Sequence, residues 1–506
     1  MTTRPAARLI GEGRAGWGAM LAALVSGGVA ALGQAPFDLW FLTPAGLACL
    51  IALVLPAQGL WRVARLMWLG GAGYFAVALV WIVQPFLVDA GRHGWMAPFA
   101  LILLAGGLAL FWGAAGYGAA RLGGSRGGRA VALVLLLALG GLLRSYLFTG
   151  FPWALPGHAW IATPALQLAA FIGPHGLNLL VWALAALLAL GLRQAVGAAV
   201  LLALLWGTGA WMQAQPVPAR DQPMTVRLIQ PNAAQHLKWQ RDMVPVFFDR
   251  QIALTRAPGD PAPDLIVWPE TAIAWSLNSA GPALRQIALA SGGAPVILGA
   301  NRREGDRVFN AAVALDAQGE VTQIYDKYHL VPFGEYMPFG DRLARLGLFG
   351  LASGGIGFSP GPGPQVWDLG GAGKVLPLIC YEMIFPNDLR AAPRRPDWVL
   401  QLTNDAWFGS FSGPYQHLAQ ARLRAVEQGL PVLRSANTGV SAAITARGQV
   451  VASLPLNRQG ALDVALPGAL PPTFYARTGD LPAAILLLAG LVLVALRGHR
   501  RGAISR

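Results

Sequence analysis

A single cysteine ends an apolar run in Val375-Leu-Pro-Leu-Ile-Cys-Tyr-Glu-Met-Ile-Phe385. Two more apolar runs end on ionisable residues. Leu265-Ile-Val-Trp-Pro-Glu-Thr271 delivers Glu270, and Tyr325-Asp-Lys327 delivers Lys327. Taken singly, each has a plain structural reading: a core cysteine, a solvated loop glutamate, a surface lysine. Taken together, they supply one chemistry. The thiolate is the active form of cysteine, and a nearby ammonium favours it. A glutamate within hydrogen-bond reach takes the thiol proton and later serves an amine as acid or base. A lysine stabilises the oxyanion of a tetrahedral intermediate, helped by the backbone N–H after the nucleophile, here that of Tyr381. Nothing local forces the three residues together. The carboxyl ends of neighbouring buried strands, facing one crevice, would do so.

The elements around them divide in two. Of 506 residues, 55% are hydrophobic and only 12% charged, about half the charged fraction of a soluble protein. The chain reads as an integral membrane protein with room for one further domain. Apolar segments near 17–33, 38–56, 64–86, 95–118, 130–148, 163–192, 196–213 and 481–496 predict about eight spans, the sixth interrupted by Gly173-Pro174-His175-Gly176. The first could be a signal peptide, but the run of spans behind it favours a retained one. Arg62, Arg65, Arg121, Arg126, Arg129 and Arg193 fall on the side of the N-terminus, and Arg497, Arg500, Arg501 and Arg506 follow the last span. Fewer cations, chiefly Arg92 and Arg144, lie opposite. The positive-inside rule then puts both ends in the cytoplasm and residues 216–475 outside. That gives three regions: a bundle over 1–215, a domain over 216–475, and a last span with its tail over 476–506.

Within 216–475, strands are expected at 225–231, 265–269, 295–300, 308–316, 321–326, 375–380, 398–404, 432–436, 441–446 and 461–466. Helices are expected near 241–257, 282–291, 386–393 and 415–429. Buried strands alternating with helices argue an α/β domain. The net charge of +14 comes from dispersed residues, so no nucleic-acid groove is expected. The two cysteines, Cys49 and Cys380, predict neither a disulfide nor a cysteine-rich metal site. His329 and His417 lack partners at metal spacing, and no metal or cofactor is expected. Gly123-Gly-Ser-Arg-Gly127 fits G-x-S-x-G but has no sheet before it. Gly373-Lys374 lacks the rest of a phosphate loop.

The ordered set of WPE, a lysine before H-L-V-P-F-G-E, and C-Y-E resembles the nitrilase superfamily. The membrane frame, with Leu402-Thr-Asn-Asp-Ala-Trp-Phe-Gly409, narrows this to a likeness to the bacterial apolipoprotein N-acyltransferase family. The resemblance implies an αββα domain facing the periplasm from the inner membrane. It implies transfer of an acyl chain from a phospholipid, typically phosphatidylethanolamine. The acceptor is the α-amine of the diacylglyceryl cysteine that starts an apolipoprotein, and a cysteine thioester is the intermediate. By motif match, Glu270 is the general base, Lys327 the oxyanion stabiliser and Cys380 the nucleophile. Glu335 supports the lysine, and Tyr381 and Glu382 flank the nucleophile. Trp239 resembles a tryptophan at the lipid site and Asn310 a supporting asparagine, each with a structural role as the alternative. The glycine-rich connection 334–364, carrying Leu343, Leu346, Leu348, Phe349 and Leu351, reads as a lid at the membrane or as a small packed helix. Two rivals remain: a membrane-bound amidase or hydrolase using the same residues, and a transporter with a binding domain. Few charges in the spans speak against the latter.

Overall fold

Lipid offers no hydrogen bonds to a backbone, so the long apolar runs of this chain must close their own as helices. The computed structural model describes residues 16–338, 340 and 357–504, and the apolar runs within them are helical. The helices are Trp17–Ala31, Leu42–Val54, Leu60–Ala78, Ala97–Leu122, Arg126–Arg144, Ala169–Leu190, Leu192–Ala214 and Leu481–Ile504. Large apolar side chains such as Phe99, Leu103, Leu192, Val200 and Ile485 point outward, as lipid-facing residues do. Small residues set the inner contacts. A Cβ on Gly27 would stand 1.8 Å from the Gly70 carbonyl oxygen, and one on Gly73 would stand 2.0 Å from that of Leu24. The first and third helices therefore touch backbone to backbone.

Helix length and composition alone do not reach the expected eight spans. Among the described residues four helices are long and apolar enough to cross a membrane, or five with a bent pair. That pair is Leu60–Ala78 and Val80–Leu87, which meet at 64° within the segment expected to be one span. The helices Trp17–Ala31 and Leu42–Val54 have 15 and 13 residues, short of the ~20 that cross a bilayer upright. The expected interruption at Gly173 is present, with φ +61°, and the ring of Tyr475 fills the space a side chain there would need.

The following domain is two six-stranded sheets. One has the order β12-β1-β2-β3-β4-β5 and the other β11-β10-β9-β8-β7-β6. In chain order β1 is Thr225–Gln230, β2 Leu265–Val267, β3 Val296–Glu304, β4 Arg307–Leu315, β5 Val321–Asp326 and β6 Trp367–Asp368. β7 is Lys374–Ile379, β8 Trp398–Thr403, β9 Val432–Ala436, β10 Ser441–Ile444, β11 Val450–Leu454 and β12 Gly460–Ala465. The ten expected strands are among them; β6 and β11 are additions. The period of two sorts each strand. Leu265 and Val267 join Leu400, Leu402 and Leu433 in the core between the sheets, a core continuous with that of the membrane helices. Ile266 and Trp268 face the other way, onto the helices Met243–Arg256 and Gly281–Ser291. Val399 and Val432 face the helix Gly413–Gln428, with Ala421 and Ala425. The layers are helix, sheet, sheet, helix. β1-β2-β3 and β7-β8-β9 run parallel, which brings their carboxyl ends to one edge.

The close helix contact gives a direct test. Gly27→Val is expected to cost about 2 kcal/mol or more, because backbone rather than a flexible side chain blocks it. The thermal midpoint of the full chain in detergent should fall. Gly18→Val, in the same helix with nothing within 4 Å, should leave it nearly unchanged.

Candidate active site

Glu270 leaves the end of β2, Lys327 the end of β5 and Cys380 the end of β7. All three are buried, at 6, 1 and 6% exposure. Lys327 Nζ donates to Glu335 Oε1 at 2.8 Å and stands 3.8 Å from Glu270 Oε1. Asn310, on β4, bridges the two carboxylates: its Nδ2 donates to Glu270 Oε1 at 2.7 Å and to Glu335 Oε1 at 3.3 Å. The other oxygen of Glu270 accepts the backbone N–H of Asn404 at 2.7 Å, across the gap between the sheets. Glu335 Oε2 accepts the N–H of Val331 at 2.8 Å, which closes the turn that carries it. Burial works against the charge on Lys327, but Glu335 and Glu270 outweigh it, and the ammonium is held well above its ordinary pKa.

Cys380 itself is wound to φ +51°, the left-handed region that a residue with a Cβ seldom enters. This sharp turn separates β7 from the short helix Cys380–Ile384. Glu382 locks it. One oxygen accepts Ile379 N–H at 2.6 Å; the other accepts the Tyr325 hydroxyl at 2.6 Å and the Tyr328 and His329 N–H at 2.7 and 3.2 Å. Burial pushes the Glu382 carboxyl up to about 7, and the donors around it pull the other way. The same carboxylate thus ties the nucleophile's turn to the lysine's strand. The Cys380 thiol is raised by burial first and by Glu270 second, and Lys327 opposes this. Burial thus favours the neutral thiol.

Trp239 is not gathered into this cluster. It is 45% exposed and lines a neighbouring cleft with Phe247, Phe248, Trp275 and Pro269. Its link to the site is Lys238, whose Nζ lies 4.9 Å over the indole and donates to the Glu270 carbonyl oxygen at 3.3 Å. Of the glycine-rich connection expected to form a lid, residues 339 and 341–356 lie outside the described residues.

The carbon–nitrogen hydrolase family model matches residues 212–470, and the model of the apolipoprotein N-acyltransferase N-terminal domain matches residues 26–187. An apolipoprotein N-acyltransferase of Brucella suis is 39% identical, over 95% of this chain and 97% of that one. Those of Rhodopseudomonas palustris and Caulobacter vibrioides are each 37% identical, over 96% and 95% of both chains respectively. The chain belongs to the apolipoprotein N-acyltransferase family. Among solved structures it is similar to an amidase from Nesterenkonia sp., at 22% identity and a TM-score of 0.36, covering 54% of this chain and 98% of that one.

Membership of an acyltransferase family gives the cluster around Cys380 its natural reading, and it draws in residues that sequence reasoning passed over. Asn404 and Thr403 stand in the Leu402–Gly409 motif with no role of their own in sequence, yet the Asn404 N–H holds Glu270 and the Thr403 hydroxyl donates to Asp405. Lys238 was legible only as the neighbour of Trp239. The opposed charges around the thiol make a signed prediction. Glu270→Gln removes a raising influence, so alkylation of Cys380 by iodoacetamide should reach half its plateau at lower pH than in the wild type. Lys327→Met removes a lowering influence and should move that pH upward. Shifts in the opposite senses would contradict the charge arrangement described.

Proposed function

We propose that the chain transfers an acyl chain from a phospholipid to the N-terminal α-amine of a diacylglyceryl-cysteine apolipoprotein, through a thioester on Cys380. The observation that carries the proposal is the cluster of Glu270, Lys327 and Glu335 acting on a buried thiol at a strained strand end. Glu270 takes the thiol proton as sulfur attacks the ester carbonyl. Lys327 and the Tyr381 N–H hold the oxyanion. Collapse of the intermediate expels the lysophospholipid, which leaves with the proton from Glu270. The acceptor amine then attacks the thioester and gives a proton to Glu270. Sulfur departs as thiolate and is reprotonated by the same carboxyl group. Glu335 and Asn310 keep Lys327 and Glu270 apart at fixed distances, and Glu382 and Tyr381 shape the turn. Trp239 and its aromatic cleft take an apolar part of a substrate.

In this reading the donor is phosphatidylethanolamine and the chain sits in the bacterial inner membrane. Residues 1–215 supply seven crossings, 216–475 form the periplasmic catalytic domain, and 476–506 carry the last crossing and a cytoplasmic tail. The three shorter apolar helices bring the crossings to eight, a number that the arginines support by falling repeatedly on one side.

Phosphatidylethanolamine without acceptor is expected to leave an acyl mass on the enzyme that neutral hydroxylamine removes. Cys380→Ser should carry no thioester, and a diacylglyceryl lipopeptide should discharge the wild-type adduct as N-acyl product. Steady release of free fatty acid with no adduct would instead mark a hydrolase. Glu270→Gln, Lys327→Met and Cys380→Ala should each lower turnover by at least ~10³-fold, without adding when combined. For the topology, reporter fusions at residues 215 and 506 should report opposite sides of the membrane. The same side for both would remove the proposed orientation.

A further inference from the structure

His417 lies fully buried on the helix Gly413–Gln428, and the steps above give it no task. Its surroundings do. The carbonyl oxygen of Cys380 accepts from Gln401 Nε2 at 3.2 Å and faces His417 Nε2 at 3.0 Å. Gln401 stands on β8 opposite Arg434 of β9, in register and on the face turned to that helix. Arg434 Nη1 donates to Gln401 Oε1 at 2.5 Å, which fixes the orientation of the amide. Arg434 also pairs with Asp405, whose Oδ1 accepts from Thr403 Oγ1 and meets His417 Nδ1, both at 2.9 Å. A carboxylate only accepts, so Nδ1 carries the ring's hydrogen. Gln401 Nε2 lies 2.9 Å from His417 Nε2, and burial and Arg434 lower the pKa of that ring. Gln401 Nε2 thus stands between His417 and the Cys380 carbonyl.

That carbonyl belongs to the same planar, trans peptide unit as the Tyr381 N–H, and the two point in opposite directions. Holding the oxygen toward the helix aims the N–H away from it. The left-handed turn at Cys380 would relax without such a hold. The helix is itself seated on the membrane part by the residue next to His417. Gln416 Nε2 donates to the carbonyls of Ala35 and Ala78 at 3.1 and 3.0 Å, and its Oε1 accepts from Trp153 Nε1 at 2.7 Å. We propose that Gln401, held by His417 and Arg434, is a positioning residue that aims the Tyr381 N–H at the oxyanion, and that the seat of the His417 helix on the membrane helices sets that aim. The inference rests on the acyl-transfer reading.

Alkylation and acylation separate this role from a merely structural one. Iodoacetamide reacts with a thiolate by displacement and forms no oxyanion, whereas acylation by a phospholipid needs one. In full-length enzyme, Gln401→Met should form the acyl-enzyme from phosphatidylethanolamine about 10²-fold more slowly, the scale of losing one oxyanion donor. Its alkylation rate should match the wild type across pH. Gln416→Leu, which touches neither Cys380 nor Gln401, should slow acylation by about tenfold and leave alkylation unchanged, a smaller loss than that of the donor itself. Wild-type acylation by Gln401→Met, or a parallel loss of both reactions, overturns the proposal. If Gln401→Met fails to insert, wild-type acylation by Gln416→Leu overturns it. A wild-type enzyme that forms no adduct defeats the acyl-transfer reading first, a result seen without any variant.

Discussion

A buried ammonium between two carboxylates is the constraint from which the rest of the site follows. Lys327 is almost without solvent, and a lone charge there would carry a heavy desolvation cost. Glu335 at 2.8 Å and Glu270 at 3.8 Å make the charge tolerable, and the asymmetry separates their tasks. Glu335 is spent on the lysine and on the Val331 N–H. Glu270 is farther from the lysine and accepts from Asn310 Nδ2 and the Asn404 N–H. In the proposed mechanism, transfer of the thiol proton to Glu270 moves the negative charge from oxygen to sulfur and leaves the total within the pocket unchanged. A buried site can make such a transfer without drawing counter-charge from water.

The two sheets place these charges, and the membrane helices place the sheets. The parallel strands β2 and β7 end at the same edge from opposite layers, and Asn404 N–H to Glu270 Oε2 crosses the gap. On the outer side, Gln416 reaches the helical part, and His329 does so again: its Nε2 lies 2.9 Å from the Thr149 carbonyl oxygen while its ring stacks 3.6 Å from that of Phe385. Both anchors sit within two residues of groups that touch Lys327's strand end or Cys380's carbonyl. The layer that carries Lys327 and Cys380 is therefore mounted on the helical part close to those two residues.

The sequence was most readable where apolar runs were buried along their whole length. Strands such as β2 and β8 are of this kind, and Glu270 and Asn404 follow their ends. β6 is only Trp367–Asp368, too short to show a period, and β11 is an edge strand with Val450 and Val451 exposed. The 64° bend after Ala78 lies inside an unbroken apolar run, where composition holds no punctuation. Gly173 announced its break because glycine and proline stand together there. Glu335 and Glu382 came from family likeness, since a glutamate in a turn is ordinary until its partners are seen. His417 was weighed only as a metal ligand. Its partners Gln401 and Arg434 meet through strand register across 33 residues, which no local pattern discloses.

One pairing also governs how the chain must be built. β1 is the first strand of the domain, and its outer neighbour is β12, with Gln230 opposite Gly460. During synthesis that edge stays open while about 230 further residues emerge, roughly 10–50 seconds at ribosomal speed. For that interval β1 presents an unpaired row of N–H and C=O groups. The closing strand is followed almost at once by the helix that begins at Leu481. The last apolar helix thus leaves the ribosome only after the strand that completes the sheet.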